Sequence, residues 1–516
     1  MSHQMCAYTS AFAGATITYC ELGIHFKSGS YRRIEIAWPG SVRDKPSNPW
    51  EKIMTDDAAW PLVRHVCRTF YADLPASAVE SARRDILDTF GCMLGGSGSP
   101  GIDELFAVIG RWGGREESRV LLRGTRLPAP QAALLNASMG HALDFDDTLD
   151  TGGSIHPGVS VLGSVLAVCD SLGCASGGAN EAVTGGDVLL AVALGLDISC
   201  RIALASTLDR GWHRTAAIGV FGATAAAGKL IGLTPEQMLA ALGIAYSHAA
   251  GNRQCILDGA LTKRMQAGQA ASAGVFSAVL AQTGFTGARN IFNGRFGFLE
   301  LYQPNGYDAS VLLRDLGTAF RGEALSYKPY PCGRPLHAAI DAALMARARL
   351  KIERPDGIQS VTIEADPAGH SEQFGRGPAK RRPTQVVEAQ FAQPFLVATA
   401  LVHGKVGIAE VDGLGDASVL SLSDRIAGVA RDHRPRGSLS ITLQRTDGRS
   451  LTVEASDPIG SPEKPLTTAQ LEAKFRDCAR NAMQPLSDTG VDRVLAAIGR
   501  LETLPDAREL MTAFAG

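Results

Sequence analysis

Between about residue 56 and residue 320 the chain repeats one local pattern, apolar residues at helical spacing in segments rich in alanine, leucine and glycine. That pattern limits the fold more than any other feature. Ser77 with Glu80 three residues later has the form of a capping box, and Val79, Ala82, Ile86, Leu87, Phe90 and Met93 then fall on one helical face. Thr234 repeats the device, with Pro235 at the first helical position and Gln237 at the third. Further helices are expected over 132–143, 159–171, 187–205, 216–231 and 270–283. Small residues let helix axes approach closely, so residues 54–323 should form a compact all-helical domain.

The texture changes near Glu323. The stretch LSYKPYPCGRP over 325–335 holds three prolines in seven residues, which fix φ and remove donors, so it reads as a linker into a second domain. A helix over 336–350 and a strand over 358–364 follow. Two alternating segments, 438–443 and 450–454, flank Thr446-Asp-Gly-Arg449, and Asp-Gly between alternating strands signals a hairpin. Residues 324–460 should form a smaller α+β lid. Thr467 and Gln470 make another capping box, continued by Leu471, Phe475 and Cys478, so residues 461–516 should return as helices packed on the helical domain. The expected class is mainly α, a large all-helical domain plus a smaller α+β lid. Residues 1–53 fit neither a signal peptide nor the helical pattern, and Met54 reads as a natural beginning. They are expected to be a non-native or disordered extension whose deletion leaves a folded, active protein.

Composition narrows the partners. The 516 residues carry a formal net charge of -2 and no block of like charges, which argues against a nucleic-acid face or a polybasic membrane anchor and for a small soluble partner. Ten scattered cysteines without CxxC pairs read as reduced thiols in cytoplasm. The strongest apolar run, 188–196, stops at Asp197, short of the roughly 20 residues a bilayer crossing needs, so no membrane span is expected.

The chemistry gathers in HALDFDDT, residues 141–148, followed by HPG at 156–158. Asp144, Asp146 and Asp147 and two imidazoles fall between segments that read as buried helix, where charges are costly unless paired or used. This reads as an active-site wall. Taken singly, other residues have plainer readings. His213 at an alanine-rich helix start would cap or fill a core, Lys263 and Lys328 would be solvated lysines, and Lys263-Arg264 and Arg381-Arg382 would be surface charge. His337 and His403 read as core or surface. The glycine-rich runs at 95–99 and 219–228 lack dinucleotide spacing and suit helix packing and turns.

Five stretches in order along the chain resemble the MmgE/PrpD family of 2-methylcitrate dehydratases and cis-aconitate decarboxylases. They are HALDFDDT with its HPG, GWHRTAAIGVFGATAAAGKLIGL from 211, LTKRMQAGQAA from 261, KPYPCGRPLHAAID from 328 and EKPLTTAQLEAKF from 463. The resemblance implies a helical domain with a smaller lid, an active site between them, a homodimer, and chemistry on small di- or tricarboxylates without metal or cofactor. It places family positions on Asp144 and Thr148, on His156 after a loop two residues longer than in the decarboxylases, and on His213, Lys263 and Lys328. The expected catalytic residues are therefore Asp144, His156, His213, Lys263 and Lys328, with Thr148, Arg264, Gln266 and Cys332 binding substrate. Cationic partners suit a polycarboxylate, and proton transfer suits histidine. Three departures stand out. Gly333 lies where the decarboxylases have a histidine, Phe395 falls on their lid tyrosine, and many relatives have histidine at Gln266.

The expected activity is a 2-methylcitrate dehydratase-like hydro-lyase working by acid and base, with a cis-aconitate-type decarboxylase or an iminodisuccinate-type epimerase as alternatives on the same scaffold. A lid rotation is expected to carry Lys328 to and from the substrate. A rival of another class rests on Asp146-Asp-Thr-Leu-Asp150, which matches the aspartate-rich magnesium motif of helical isoprenoid enzymes, carboxylates one turn apart. No second such motif occurs, and His-Pro-Gly has no place in that scheme. A non-catalytic helical binding protein is the remaining alternative.

Overall fold

The computed structural model describes residues 9–12, 15–18, 57–151, 154–175, 182–375 and 377–512. The expectation for residues 1–53 lies outside these, apart from two short strands, Thr9–Phe12 and Ala15–Thr18, which pair as an antiparallel hairpin.

The larger body is built from α1 (Ala76–Gly95), α2 (Ala129–Gly140), α3 (Pro157–Ala175), α4 (Gly185–Ala205), α5 (Arg214–Ile231), α6 (Pro235–Tyr246) and α7 (Thr262–Gln282). Helix α7 runs through the middle, packed on α2, α3, α5 and α6. Close approach is the reason for its small residues. A Cβ on Gly268 would stand 2.3 Å from the Leu134 carbonyl oxygen of α2, and one on Gly274 would stand 2.9 Å from the Ala223 backbone of α5.

Thr234 caps α6, with its side chain and that of Gln237 bonding each other's backbone N–H, as the sequence predicts. Ser77 does not cap α1. That helix starts at Ala76 behind Pro75, whose extended ψ of 150° sets the entry, so Ser77 sits inside the first turn and Glu80 pairs with Arg83 at 2.9 Å. The apolar run at 188–196 lies, as expected, in a helix that continues to Ala205. It belongs to the 21-residue α4, long and apolar enough to cross a membrane by length and composition, but packed as a core helix with 94% of its most apolar window buried. Its Asp197 and Arg201 pair with each other at 2.8 Å. The described cysteines 67, 92, 169, 200, 255, 332 and 478 are all free thiols.

A second hydrophobic core lies in the lid, under α8 (His337–Arg349) and a four-stranded sheet of β1 (Ile358–Ala365), β2 (Ile426–Ala430), β3 (Leu439–Arg445) and β4 (Ser450–Ala455). The strand order is β2-β1-β3-β4, with β1 and β2 parallel and the other pairs antiparallel. Ile358, Val361, Ile363 and Ala365 of β1 face inward, and the Asp447-Gly448 turn joins β3 to β4. Helix α9 (Gln393–His403) completes this core, and α10 (Thr468–Arg480), capped by Thr467 and Gln470, returns to pack on α1. The mainly α architecture with a small α+β lid is the one expected.

Candidate active site

Helix α2 ends at His141, whose N–H donates to the Ala137 carbonyl. The chain then turns through 142–148 with Asp144 in the left-handed region at φ 51°, a conformation a non-glycine residue holds only when its surroundings impose it. Two contacts do so. The Lys328 ammonium donates to the Asp144 carbonyl at 2.8 Å and stands 3.4 Å from its Oδ2, and Lys263 Nζ lies 2.6 Å from its Oδ1. The end of the loop is tied to the lid linker, since Thr148 and Ser326 exchange both backbone hydrogen bonds at 2.8 Å.

Polar contacts continue inward. Lys263 Nζ also donates to His141 Nε2 at 3.0 Å, and His141 Nδ1 lies 2.6 Å from Asp146 Oδ2. His156, immediately before α3, donates from Nδ1 to the Asp147 carbonyl at 2.5 Å, and no hydrogen bond occupies its Nε2 among the described residues. His213 stands at the N-cap position of α5 without capping it, and its Nδ1 is buried without a partner among the described residues. The rings of His156 and His213 lie 5.1 and 5.4 Å from that of His141, on centroids.

Burial decides which groups carry charge. It pushes the imidazoles of His141, His156 and His213 down, reinforced for His141 by Lys263, for His156 by Lys328 and for His213 by His141 and Lys263; His156 falls to about 3. All three rings are neutral near pH 7. For Asp144 burial would raise the carboxyl, but Lys263 and Lys328 outweigh it and hold it well below the usual carboxylate range. The result is a wall of two ammonium ions sharing one carboxylate, beside three neutral imidazoles.

A second buried group lies behind this wall. The Asp147 carboxylate accepts the Gly158 N–H at 3.1 Å, and a Cβ on Gly158 would stand 2.7 Å from Asp85 Oδ1. Burial, with neighbouring carboxylates, raises both Asp85 and Asp147 well above the usual range. Lys474 of α10 reaches in from the far end of the chain, donating to Asp88 Oδ1 and to the Phe145 carbonyl, each at 2.6 Å.

The two halves of the chain match two family models, the MmgE/PrpD N-terminal domain over residues 61–308 and the MmgE/PrpD C-terminal domain over residues 330–494. The chain belongs to the MmgE/PrpD family. The cis-aconitate decarboxylase-like protein oryM of Aspergillus oryzae is 26% identical over 465 residues, 86% of this chain and 94% of that protein. The human cis-aconitate decarboxylase is 26% identical over 462 residues, 85% of this chain and 90% of that protein. The 2-methylcitrate dehydratase of Cupriavidus necator is 24% identical over 468 residues, 83% of this chain and 91% of that protein.

In this MmgE/PrpD chain, Asp144, His156, His213, Lys263 and Lys328 come together, although more than 180 positions separate the first from the last. The surface reading of the lysines and of Arg264 is wrong: Lys263, Arg264 and Lys328 are 6%, 5% and 0% exposed. Helix α7 and the linker place them inside because buried carboxylate and carbonyl partners await them. The linker that carries Lys328 is bonded on both sides. Tyr327 N–H bonds the Gly460 carbonyl, Ser326 bonds Thr148, and the ammonium is already seated on Asp144.

The four expected binding residues divide. Thr148 is buried in the loop. Arg264 donates to the Pro100 carbonyl at 2.7 Å. Gln266 bonds both backbone groups of Asn252 and the Cys255 thiol, beside His213, so it holds the 251–255 loop. Cys332 is fully buried near Lys328 and Asp144, and burial pushes its thiol up. His337 is a core residue and His403 pairs with Asp416 at 3.0 Å, both plain readings, as is the exposed Arg382–Asp424 pair.

The aspartate-rich magnesium motif does not assemble. Residues 146–150 are not helical, and their carboxylates point to different partners: Asp146 to His141, Asp147 to Gly158, Asp150 to Ser326 and Arg334. His141, Asp144 and Asp146 do bring ligand atoms within 4.8 Å of one another, but the Lys263 ammonium already binds the first two. His141 and Asp146 were visible in the motif without a role. Lys474 lay inside the EKPLTTAQLEAKF stretch with nothing local to mark it as buried.

Proposed function

We propose that this chain is a lyase of small di- or tricarboxylates, a 2-methylcitrate dehydratase-like hydro-lyase that uses acid and base residues without a metal. The observation that carries the reading is the paired ammonium ions of Lys263 and Lys328 beside three neutral imidazoles, at positions matching the family's motifs. The cations suit carboxylates, and their partners leave at least one Lys263 N–H for a substrate. The His156 Nδ1–H donates a hydrogen bond to the Asp147 carbonyl, so Nε2 presents a lone pair and acts as the base that takes a proton α to a carboxylate. Its proton affinity rises when a polycarboxylate enters beside it. Lys263 or His213 then protonates the departing hydroxyl.

A second reading is decarboxylation of a cis-aconitate-like acid, supported by the 26% identity to decarboxylases across 85–86% of the chain. The same residues would serve an iminodisuccinate-type epimerisation. The partner in each case is a small carboxylate rather than nucleic acid or membrane. Homodimeric assembly and a cytoplasmic location belong to this reading, the first tested by light scattering and the second by fractionating cells. The deciding experiment supplies 2-methylcitrate, citrate, cis-aconitate and iminodisuccinate, with and without chelator, and follows proton NMR. Loss of water from 2-methylcitrate, insensitive to chelator, is expected. Carbon dioxide loss from cis-aconitate would select the second reading, and no turnover of any of them would overturn both.

A further inference from the structure

Both ring nitrogens of His141 are committed. Asp146 Oδ2, 2.6 Å from Nδ1, belongs to a carboxylate that only accepts, so Nδ1 carries a proton. Lys263 Nζ, 3.0 Å from Nε2, is an ammonium that only donates, so Nε2 presents its lone pair. One tautomer satisfies both partners, neutral with the proton on Nδ1. With Nδ1 and Nε2 both bonded, His141 has no ring nitrogen left for a substrate, and its ring lies between those of His156 and His213. Lys263 spends one N–H on His141 and one on Asp144, so tetrahedral geometry sets the direction of the third.

From this geometry we infer that His141, locked by Asp146 in the Nδ1–H tautomer, is the positioning residue that aims the Lys263 ammonium at the substrate. His141 moves no proton. It supplies the acceptor that stops Lys263 from rotating, while its ring spaces the two outer imidazoles. The inference rests on the lyase reading above for its consequence in turnover, and on Asp146 and Lys263 alone for the tautomer.

Two substitutions separate the two faces of the ring. In His141→Asn the amide takes the place of Nδ1 and the acceptor for Lys263 is lost, whereas in His141→Gln the longer amide can return an oxygen near Nε2. Misplacing a reacting group by about 1 Å costs on the order of a hundredfold, so His141→Asn should lower kcat/KM by about that factor, mostly in kcat, while melting near the native protein. His141→Gln should recover at least about tenfold of the loss. Turnover is independent of the second readout, long-range proton–nitrogen NMR of protein labelled at histidine. Neutral Nδ1–H rings are expected for His141 and His156, with the former signal absent from His141→Gln. A native His141 protonated on Nε2 would overturn the proposal. So would native kcat/KM in His141→Asn, or equal losses in both variants, which would assign the role to packing or to Asp146. If the native protein turns over none of the carboxylates, the lyase reading falls, and the tautomer spectrum still judges the lock.

Discussion

The shared ion pair of Lys263, Asp144 and Lys328 can be taken apart by a double-mutant cycle. Lys263 and Asp144 are both nearly excluded from water and 2.6 Å apart, and Lys328 lies 3.4 Å from the other oxygen. At an effective dielectric of about 20, those separations correspond to roughly 6 and 5 kcal/mol of attraction, so each lysine supports about half of the Asp144 charge. Removing one partner of a buried pair costs about 3–5 kcal/mol, because the other is left desolvated. Lys263→Met and Asp144→Asn should each show that cost. The double variant removes both members of this pair and strands only Lys328, which Asp144→Asn alone already strands, so it should be more stable than the sum of the singles by at least about 2 kcal/mol. For a body of roughly 460 residues, an unfolding entropy of about 2.1 cal/mol/K per residue makes each kcal/mol about 1 °C of melting temperature. The single variants should therefore melt only about 3–5 °C lower in calorimetry. Turnover should fall at least about a hundredfold in Lys263→Met and not return in the double variant, because a cation over developing charge is lost in both. An additive cycle, within about 0.5 kcal/mol, would refute the coupling.

Other outcomes follow from burial. His141, His156 and His213 stay neutral in the fold but titrate near pH 6.5 when unfolded, so the unfolded state binds more protons below that pH and stability falls with it. The cost is roughly 2 kcal/mol per ring at pH 5. Melting should begin to drop near pH 6.5 and less steeply in His156→Asn; a flat profile to pH 5 would contradict this. Asp85 behaves oppositely: raised in the fold, it gives stability below its unfolded value that is lost as pH climbs through the folded one. Asp85→Asn should gain on the native protein as pH rises above about 4, the unfolded value of an aspartate, and a melting-temperature difference that stays constant from about pH 4 upward would rule out its titration. Gly274→Ala, whose Cβ would meet the Ala223 backbone, should destabilise by about 1–3 kcal/mol in denaturant unfolding, whereas Gly499→Ala, with open space around it, should not. Lys474→Met strands Asp88 and the Phe145 carbonyl and should cost about 3–5 kcal/mol in the same assay.

Local chemistry determined much of this protein from sequence alone. The capping boxes at Thr234 and Thr467, the apolar spacing of α1, and the Asp-Gly turn between β3 and β4 depend on neighbours a few residues away, so each was legible. Even there Ser77 failed, because Pro75 two positions earlier set the helix start. The loop 141–148 could be recognised as a site because buried carboxylates must be paired, and the family's motifs named its partners. Only the tertiary structure decided how those charges are shared. Lys263 lies 119 positions from Asp144, Lys328 lies 184 away, and Lys474 is 329 from Phe145, so no periodicity or propensity links them. Lys263 and Lys328, taken singly, looked solvated because exposure is the default for an ammonium. Packing removed that choice: it closed water off from the loop and left Asp144, Asp88 and the Phe145 carbonyl each with a cation, and each imidazole neutral, as the cheapest way to be satisfied.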